Sequence, residues 1–165
     1  MRISEETMEN FSVSYPLERL APVERILFID IETTGFSARH CTVYLVGCAS
    51  RVDDTVTVTQ FFAETPAHEP EVLSAFADYV ASHTCAITFN GLGFDVPFIE
   101  ERCRQLGIPS FLTALKHTDI FKQISPLKKL FRLPSMKQKS IEQFLSISRD
   151  DLYSCGELIN VYHDY

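Results

Sequence analysis

The feature that most constrains the fold is a near-continuous apolar run that stops at two acidic residues. Residues 25–31 read RILFIDI, and the polar residues that follow include Glu32 and end at Gly35. A short apolar run bounded by a turn signal is typical of a buried strand. We therefore predict a central strand that presents the carboxylates of Asp30 and Glu32 at its end.

The other hydrophobic patterns predict a mixed sheet with flanking helices. β-branched and apolar runs predict further strands at residues 42–50, 55–62, 84–89 and 117–120. Helical spacing predicts helices at residues 69–82, 94–106, 121–131, 139–145 and 152–165. Residues 51–54 fit a hairpin turn between the second and third strands. This order predicts an α/β fold: a central mixed sheet with an antiparallel three-strand meander, flanked by helices.

Composition favours one folded domain and excludes several protein classes. Of the 165 residues, 45% are hydrophobic and 22% are charged, which is ordinary for a globular domain and excludes a disordered or fibrous chain. Residues 1–22 are polar and contain Pro16 and Pro22, so we expect an N-terminal extension or covering arm before a domain at residues 23–165. No apolar run approaches the roughly 18 residues of a spanning helix. We expect a cytoplasmic protein without a membrane partner.

The charge distribution is uneven. The net charge of −7 argues against a strongly basic nucleic-acid binder. Residues 116–139, however, form a basic stretch with one acidic residue, Asp119, and seven basic ones: Lys116, Lys122, Lys128, Lys129, Arg132, Lys137 and Lys139. Such a stretch is compatible with a phosphate-bearing partner, and charge alone fits a solvated helix face equally well. We expect Leu127 and Leu130 of this stretch to face the core.

Asp30 and Glu32 have the spacing of a metal site. Two residues apart on a strand, they point to the same face. Neighbouring carboxylates repel each other unless a cation neutralises them, and their hard oxygens suit Mg²⁺ or Mn²⁺. A strand that ends in a solvated acidic turn is the alternative for this spacing alone.

A second acidic position follows a later strand. In TFNGLGFDVPFI, Asn90 and Gly91 close the strand and Asp95 opens a helix. An acidic residue there can simply complement the helix dipole, but a two-metal site also needs a third carboxylate from another element. Asn90 could donate to a sugar or phosphate, and Phe94 could stack or pack.

These two strings resemble a known family. FIDIETTG resembles the first motif of the DEDD exonucleases of the ribonuclease H-like superfamily, and TFNGLGFDVPFI resembles the second. Residues 23–165 most resemble the predicted exonuclease family called YprB, through the additional strings YLVG, HTDI, SIEQFL and SCGELINVYHDY. The resemblance implies a metal-dependent 3′–5′ exonuclease that hydrolyses phosphodiester bonds with two Mg²⁺ or Mn²⁺ ions. Its nucleic-acid partner would be a single strand or a 3′ end.

The resemblance also implies roles for individual residues. Asp30, Glu32 and Asp95 would be catalytic metal ligands. Another group would border the terminal nucleotide: Thr33, Thr34, Phe36 and Asn90.

One part of the family pattern is missing from the sequence. The third motif, Tyr or His followed four residues later by Asp, does not occur near the end of the chain. We expect either a truncated chain or a fourth ligand from elsewhere, for which composition offers Asp119, Asp150, Asp151 and Asp164. Of these, Asp119 follows a strand and is expected instead to order neighbouring backbone.

Two other functions remain open from the sequence. The missing motif favours a catalytically incomplete module that binds nucleic acid or a protein partner. The string FIDIET also resembles, superficially, the start of haloacid-dehalogenase-like phosphohydrolases, which would carry Asp where this chain has Glu32.

Overall fold

A six-stranded mixed sheet forms the centre of the molecule. The computed structural model describes residues 1–148 and 155–165. The strands lie in the order β1-β4-β3-β2-β5-β6. Their bounds are β1 Arg2–Met8, β2 Ile26–Thr33, β3 Val43–Val52, β4 Thr55–Phe62, β5 Cys85–Thr88 and β6 Lys116–Asp119.

The predicted meander is confirmed. Strands β2, β3 and β4 pair antiparallel in sequence order, and β5 and β6 then continue the sheet in parallel from β2. The register places Asp30 opposite Gly47. Strand β2 lies between the antiparallel and parallel halves of the sheet. Because β2 and β5 run in parallel, the carboxyl end of β2 lies beside the end of β5 and the start of the helix that follows β5.

Strand β1 is not among the strands predicted from the sequence. Residues Arg2–Met8 pair antiparallel with β4, Arg2 opposite Phe62 and Met8 opposite Val56. All seven residues of this edge strand are exposed, so no alternation of apolar and polar residues marks it. The boundary between residues 22 and 23 stays a prediction.

The segment after β1 covers part of one sheet face. Val13, Leu17 and Leu20 pack with Cys85 and Ile87 in a small apolar cluster. This cluster leaves the carboxyl end of β2 accessible, since Asp30 remains exposed.

The main core lies on the other face of the sheet, under two long helices. They are α1 Glu69–Val80 and α2 Asp95–Leu106. Ile29 and Ile31 of β2 pack with Phe76 of α1 and Ile99 of α2. Helix α2 ends at Leu106, as the helical spacing of residues 94–106 predicts, and Gly107 after it has a φ of 71°, the left-handed conformation that glycine adopts without strain.

The C-terminal helices are short. Their bounds are α3 Ile120–Ile124, α4 Lys128–Phe131, α5 Gln138–Phe144 and α6 Cys155–Asp164. A 3₁₀ turn that contains Pro126, which has no amide hydrogen, separates α3 from α4. The start of the predicted helix at residues 152–165 lies outside the described residues.

The expectation that Leu127 and Leu130 face the core is wrong. Their exposed fractions are 44% and 76%. Helix α4 is only four residues long and ends at Arg132 with a φ of 53°. So short a helix cannot lay a continuous apolar stripe on the sheet.

None of the helices within residues 1–148 and 155–165 combines the length and apolar character needed to cross a bilayer.

Replacing Phe76 by Ala should lower the free energy of unfolding by about 3–5 kcal/mol, because a large buried ring would leave a cavity. Phe76 is fully buried and contacts the rings of Phe61 and Phe111. Phe36→Ala is the matched control and should change stability by less than about 0.5 kcal/mol, since a ring this exposed stabilises little. Urea unfolding measures both, and equal losses would contradict the location of the core.

Candidate active site at the end of the central strand

The alternation of β2 divides its side chains between the core and a surface cavity. Ile29, Ile31 and Thr33 are buried, whereas Asp30 is exposed and Glu32 is half-buried. Asp30 and Glu32 therefore share one face, as their spacing predicts. They line a cavity of about 580 Å³. Its other lining residues come from the loop after β2, from the residue before α2, from the start of α5 and the residue before it, and from α6: Phe36, Phe94, Lys137, Lys139, Leu158 and Ile159 are examples.

Asp95 is held directly against β2. It is the first residue of α2 and is buried, and its Oδ1 accepts a hydrogen bond of 3.1 Å from the Ile31 amide. Ile31 lies between Asp30 and Glu32 in the chain. The hydrogen bond therefore brings a third carboxylate, from another element, to the end of β2.

The charge of Asp30 acts on both of the other carboxylates. Burial, with a further contribution from the charge of Asp30, raises the pKa of Asp95 to about 7. Burial also raises the pKa of Glu32, again with a smaller contribution from Asp30. Both shifts have the sign expected where negative charges are crowded and partly removed from water.

The donor chemistry suits a hard divalent cation, but the side chains do not form a finished metal site. Carboxylate oxygens are the preferred ligands of Mg²⁺ and Mn²⁺. Within residues 1–148 and 155–165, no three His, Cys, Asp or Glu side chains are grouped closely enough to hold a metal. Occupancy by a cation would therefore require the carboxylates to draw together.

The residues after Glu32 form a tight loop. The Thr33 hydroxyl donates to the Gly35 carbonyl at 2.8 Å, and the Thr34 hydroxyl accepts from the Thr42 amide at 3.0 Å. A Cβ on Gly35 would lie 2.8 Å from the Cys41 sulfur, so any larger residue there would require the Cys41 side chain to shift. Both threonine hydroxyls thus stabilise the loop. Their contact with a nucleotide stays a prediction.

Phe36 projects from this loop into solvent. Its ring is 91% exposed and meets Phe94 edge-on, with 6.2 Å between ring centroids. Phe94 packs in turn on Phe98. Of the two aromatic residues at the cavity, Phe94 therefore packs, and Phe36 presents a free ring face.

Asp119 orders backbone near the site, as predicted from its place at a strand end. Its carboxylate accepts from the amides of Asn90 and Leu92 at 3.0 Å each, and from Lys122 at 3.2 Å. These bonds support the turn in which Asn90 takes a φ of 65° and stays exposed.

Three other acidic residues were expected as possible fourth ligands: Asp150, Asp151 and Asp164. Asp164 is exposed near the end of α6. Asp150 and Asp151 lie outside the described residues.

A buried ion pair that the sequence does not predict lies beside the site. Glu69 opens α1 and is 1% exposed, and its oxygens accept from Arg102 of α2 at 2.9 and 2.6 Å. Glu69 also accepts from the Val43 amide at 2.8 Å. The only hint in the sequence is an acidic residue at a helix start, which the helix dipole already explains.

The pKa of Asp95 predicts how stability depends on pH in metal-free buffer. The folded chain holds this proton more tightly than the unfolded chain, so stability should fall as pH rises from 3.8 toward about 7. For one group the slope cannot exceed about 1.4 kcal/mol per pH unit. Urea unfolding with EDTA should show that Asp95→Asn removes part of this fall.

The matched control is Asp78→Asn, which changes an exposed carboxylate on α1. It should keep the pH dependence of the unaltered chain. If the free energy of unfolding changes with pH in the same way for the Asp95→Asn chain and the unaltered chain, from pH 3.8 to about 7, the raised pKa of Asp95 is contradicted.

Comparison with known proteins identifies the superfamily of the chain. A family model described as RNase_H superfamily matches residues 27–165. Over 78 residues the chain is 35% identical to a Bacillus subtilis (strain 168) protein named "Uncharacterized protein YprB". That match covers 47% of this chain and 19% of the relative.

Solved structures share the fold at low sequence identity. A family B DNA polymerase from the archaeon Pyrobaculum calidifontis aligns over 87% of this chain and 21% of its own, with a TM-score of 0.66 and 18% identity. Escherichia coli exonuclease I in complex with a dA16 oligonucleotide aligns over 82% of this chain and 39% of its own, with a TM-score of 0.54 and 15% identity. The chain thus spans less than half the length of each of these relatives. Because the family model covers most of the sequence, the chain belongs to the RNase H superfamily.

Proposed function

We propose that the chain is a metal-dependent 3′–5′ exonuclease module that hydrolyses phosphodiester bonds of nucleic acid. The observation that carries this proposal is the convergence of Asp30, Glu32 and Asp95 at one strand end. The carboxylates come from β2 and α2, and two of them open onto a cavity. Exonuclease I, similar in fold, is described in complex with an oligonucleotide.

Asp30, Glu32 and Asp95 would hold the Mg²⁺ or Mn²⁺ ions. When bound, two such ions supply an activated water and stabilise the leaving 3′ oxygen of a phosphodiester. The protein's part is to bring three carboxylates to one strand end, where a cation would relieve their repulsion. The hydrogen bond from the Ile31 amide keeps the Asp95 carboxylate in place.

The rim of the cavity supplies groups that suit the end of a nucleic-acid strand. The exposed ring of Phe36 offers a stacking surface for the terminal base, which is sequence-tolerant because every base has a π-face. Lys137 and Lys139, the last residues of the basic stretch, line the same cavity and suit phosphate contacts. Thr33, Thr34 and Asn90 complete the proposed nucleotide-binding set. Hydrolysis there would release a nucleoside monophosphate and shorten the strand.

A second candidate is a catalytically incomplete module that binds nucleic acid. It is favoured by the finding that no described group of three potential ligands could hold a metal. In that case the cavity and its lysines would serve binding alone. The haloacid-dehalogenase-like alternative is wrong, because the chain belongs to the RNase H superfamily.

Asp30→Asn should abolish measurable hydrolysis and weaken Mn²⁺ binding, because it removes one charge from the carboxylate group. The assay is a 5′-labelled single strand with Mn²⁺, which an exonuclease of this polarity shortens one nucleotide at a time. Loss of one electrostatic group commonly costs about 10²–10³ in rate. Calorimetry with Mn²⁺ measures the binding. Asp78→Asn is the matched control and should behave as the unaltered chain.

The two candidate functions give different results in this assay. Mn²⁺-dependent shortening by the unaltered chain supports the exonuclease. Strand binding without shortening supports the binding module. Equal Mn²⁺ affinity in the Asp30→Asn chain would mean that the metal site is placed wrongly.

The basic stretch should supply the phosphate contacts. Replacing Lys128 and Lys129, both exposed on α4, by Glu should weaken binding of a single strand. Each lost contact should reduce the log–log salt slope by about 0.7. Fluorescence anisotropy across a salt series measures this. The control replaces Arg2 and Arg19, exposed near the N-terminus, by Glu; it changes net charge equally and should keep the slope. An unchanged slope in the α4 variant would identify the stretch as a solvated face.

A further inference from the structure

We propose that Arg102 is a positioning residue: it fixes the loop that carries Phe36 and so sets the place of that ring against the terminal base of a bound strand. The proposal rests on the proposed function, because it assumes a nucleic-acid end in the cavity. It assigns a role in strand recognition to a side chain of α2 whose contacts lie outside the carboxylate group.

The guanidinium of Arg102 is held rigidly. Its guanidinium forms two hydrogen bonds to Glu69, from Nε at 2.9 Å and from Nη2 at 2.6 Å. Two parallel bonds hold the planar guanidinium in one orientation. Glu69 is anchored in turn by the Val43 amide at 2.8 Å. The charged pair therefore joins α1, α2 and the start of β3 into one rigid unit.

This rigid unit contacts the loop that carries Phe36. The remaining terminal nitrogen of Arg102, Nη1, donates to the Ala38 carbonyl at 3.1 Å. Gln105, one turn along α2, donates to the same oxygen at 3.2 Å. Ala38 lies two residues after Phe36, so both donors grip the loop close to its projecting ring.

Hydrogen bonds between Thr34 and Thr42 join the two ends of this loop. Thr34 and Thr42 exchange backbone and side-chain hydrogen bonds, including Thr34 N–H to the Thr42 carbonyl at 3.0 Å. These bonds fix the loop's ends on β2 and β3. The Ala38 carbonyl gives it a third attachment, on α2.

The ring of Phe36 depends on these backbone attachments. A side chain that is 91% exposed is not held by burial, and its recorded ring contact is the edge-on one with Phe94. The position of the ring is therefore set largely by the loop backbone. Loosening Ala38 should let the ring move away from a stacked base without disturbing the carboxylates.

The test compares Arg102→Lys with Arg104→Lys. Lysine at position 102 keeps a positive charge opposite Glu69 but lacks the fork that also reaches Ala38. Arg104, two residues along the same helix, is 69% exposed and pairs with Glu101 on the surface. The same substitution there changes an ion pair without touching the loop. Circular dichroism and thermal melting first establish that each variant folds.

The readout is affinity for two single strands in EDTA, so that hydrolysis plays no part. One strand ends in 2-aminopurine, whose fluorescence is quenched by stacking, and the other ends in an abasic sugar. Arg102→Lys should weaken binding of the first by about fivefold and reduce its quenching, because stacking on an aromatic side chain contributes strongly to affinity. It should leave the abasic strand unaffected. Phe36→Ala should likewise weaken binding of the 2-aminopurine strand and leave the abasic strand unaffected. The double variant, Arg102→Lys with Phe36→Ala, should bind the 2-aminopurine strand as tightly as Phe36→Ala alone.

Other outcomes overturn the proposal. Equal weakening for both strands, or none for either, means that Arg102 does not act through the ring. Additive losses in the double variant mean the same. If Arg102→Lys fails to fold, Gln105→Leu, which removes the second donor to Ala38, must reproduce the base-dependent loss or the proposal fails.

Failure of the proposed function gives a different pattern. Base-dependent binding without Mn²⁺-dependent shortening disproves the nuclease and leaves the positioning role intact. If the unaltered chain binds neither strand, both proposals fall.

Discussion

The hydrogen bond from the Ile31 amide to Asp95 is the contact on which the site depends. It joins the central strand to the first turn of α2, and it places a buried carboxylate beside the strand that carries Asp30 and Glu32. Without it, β2 would end in two acidic residues facing water, an arrangement that many soluble proteins tolerate at a strand end. With it, a third carboxylate from another element lies at the same strand end, where burial and the charge of Asp30 raise the pKa of Asp95 to about 7 although the hydrogen bond itself opposes that rise. The chemistry of the cavity follows from this convergence.

The two faces of the sheet have different roles because successive side chains of β2 point to opposite faces. Ile29 and Ile31 enter the core under α1 and α2, while Asp30 and Glu32 reach the cavity on the opposite face. The N-terminal segment covers another part of that opposite face through Leu17 and its neighbours. A one-residue shift in the register of β2 would exchange these roles and bury the carboxylates. The pairing of Asp30 with Gly47 is therefore as important to the site as the acidic residues themselves.

The sequence predicted those parts of the molecule whose information is local. Strand β2, the meander and α2 follow from apolar runs, turn residues and Gly107, and Asp30, Glu32 and Asp95 follow from the motifs on these elements. Strand β1 could not be predicted, because both of its faces are exposed and it carries no hydrophobic alternation. The pair of Glu69 and Arg102 could not be predicted either, since its partners are 33 residues apart and meet only through helix packing. Leu127 and Leu130 were misplaced because an apolar pattern does not say whether a helix is long enough to bury it.

Protons and divalent cations are competing ways to relieve the same repulsion. A buried carboxylate beside Asp30 is costly when ionised, and a proton on Asp95 removes that cost up to a pH of about 7. A metal would remove it more completely, because it interacts with all three carboxylates at once, and it must displace the proton to do so. On the proposed function, metal affinity should therefore rise with pH through the range in which Asp95 ionises. The electrostatic strain that lowers the stability of the metal-free fold is then the same quantity that favours cation binding.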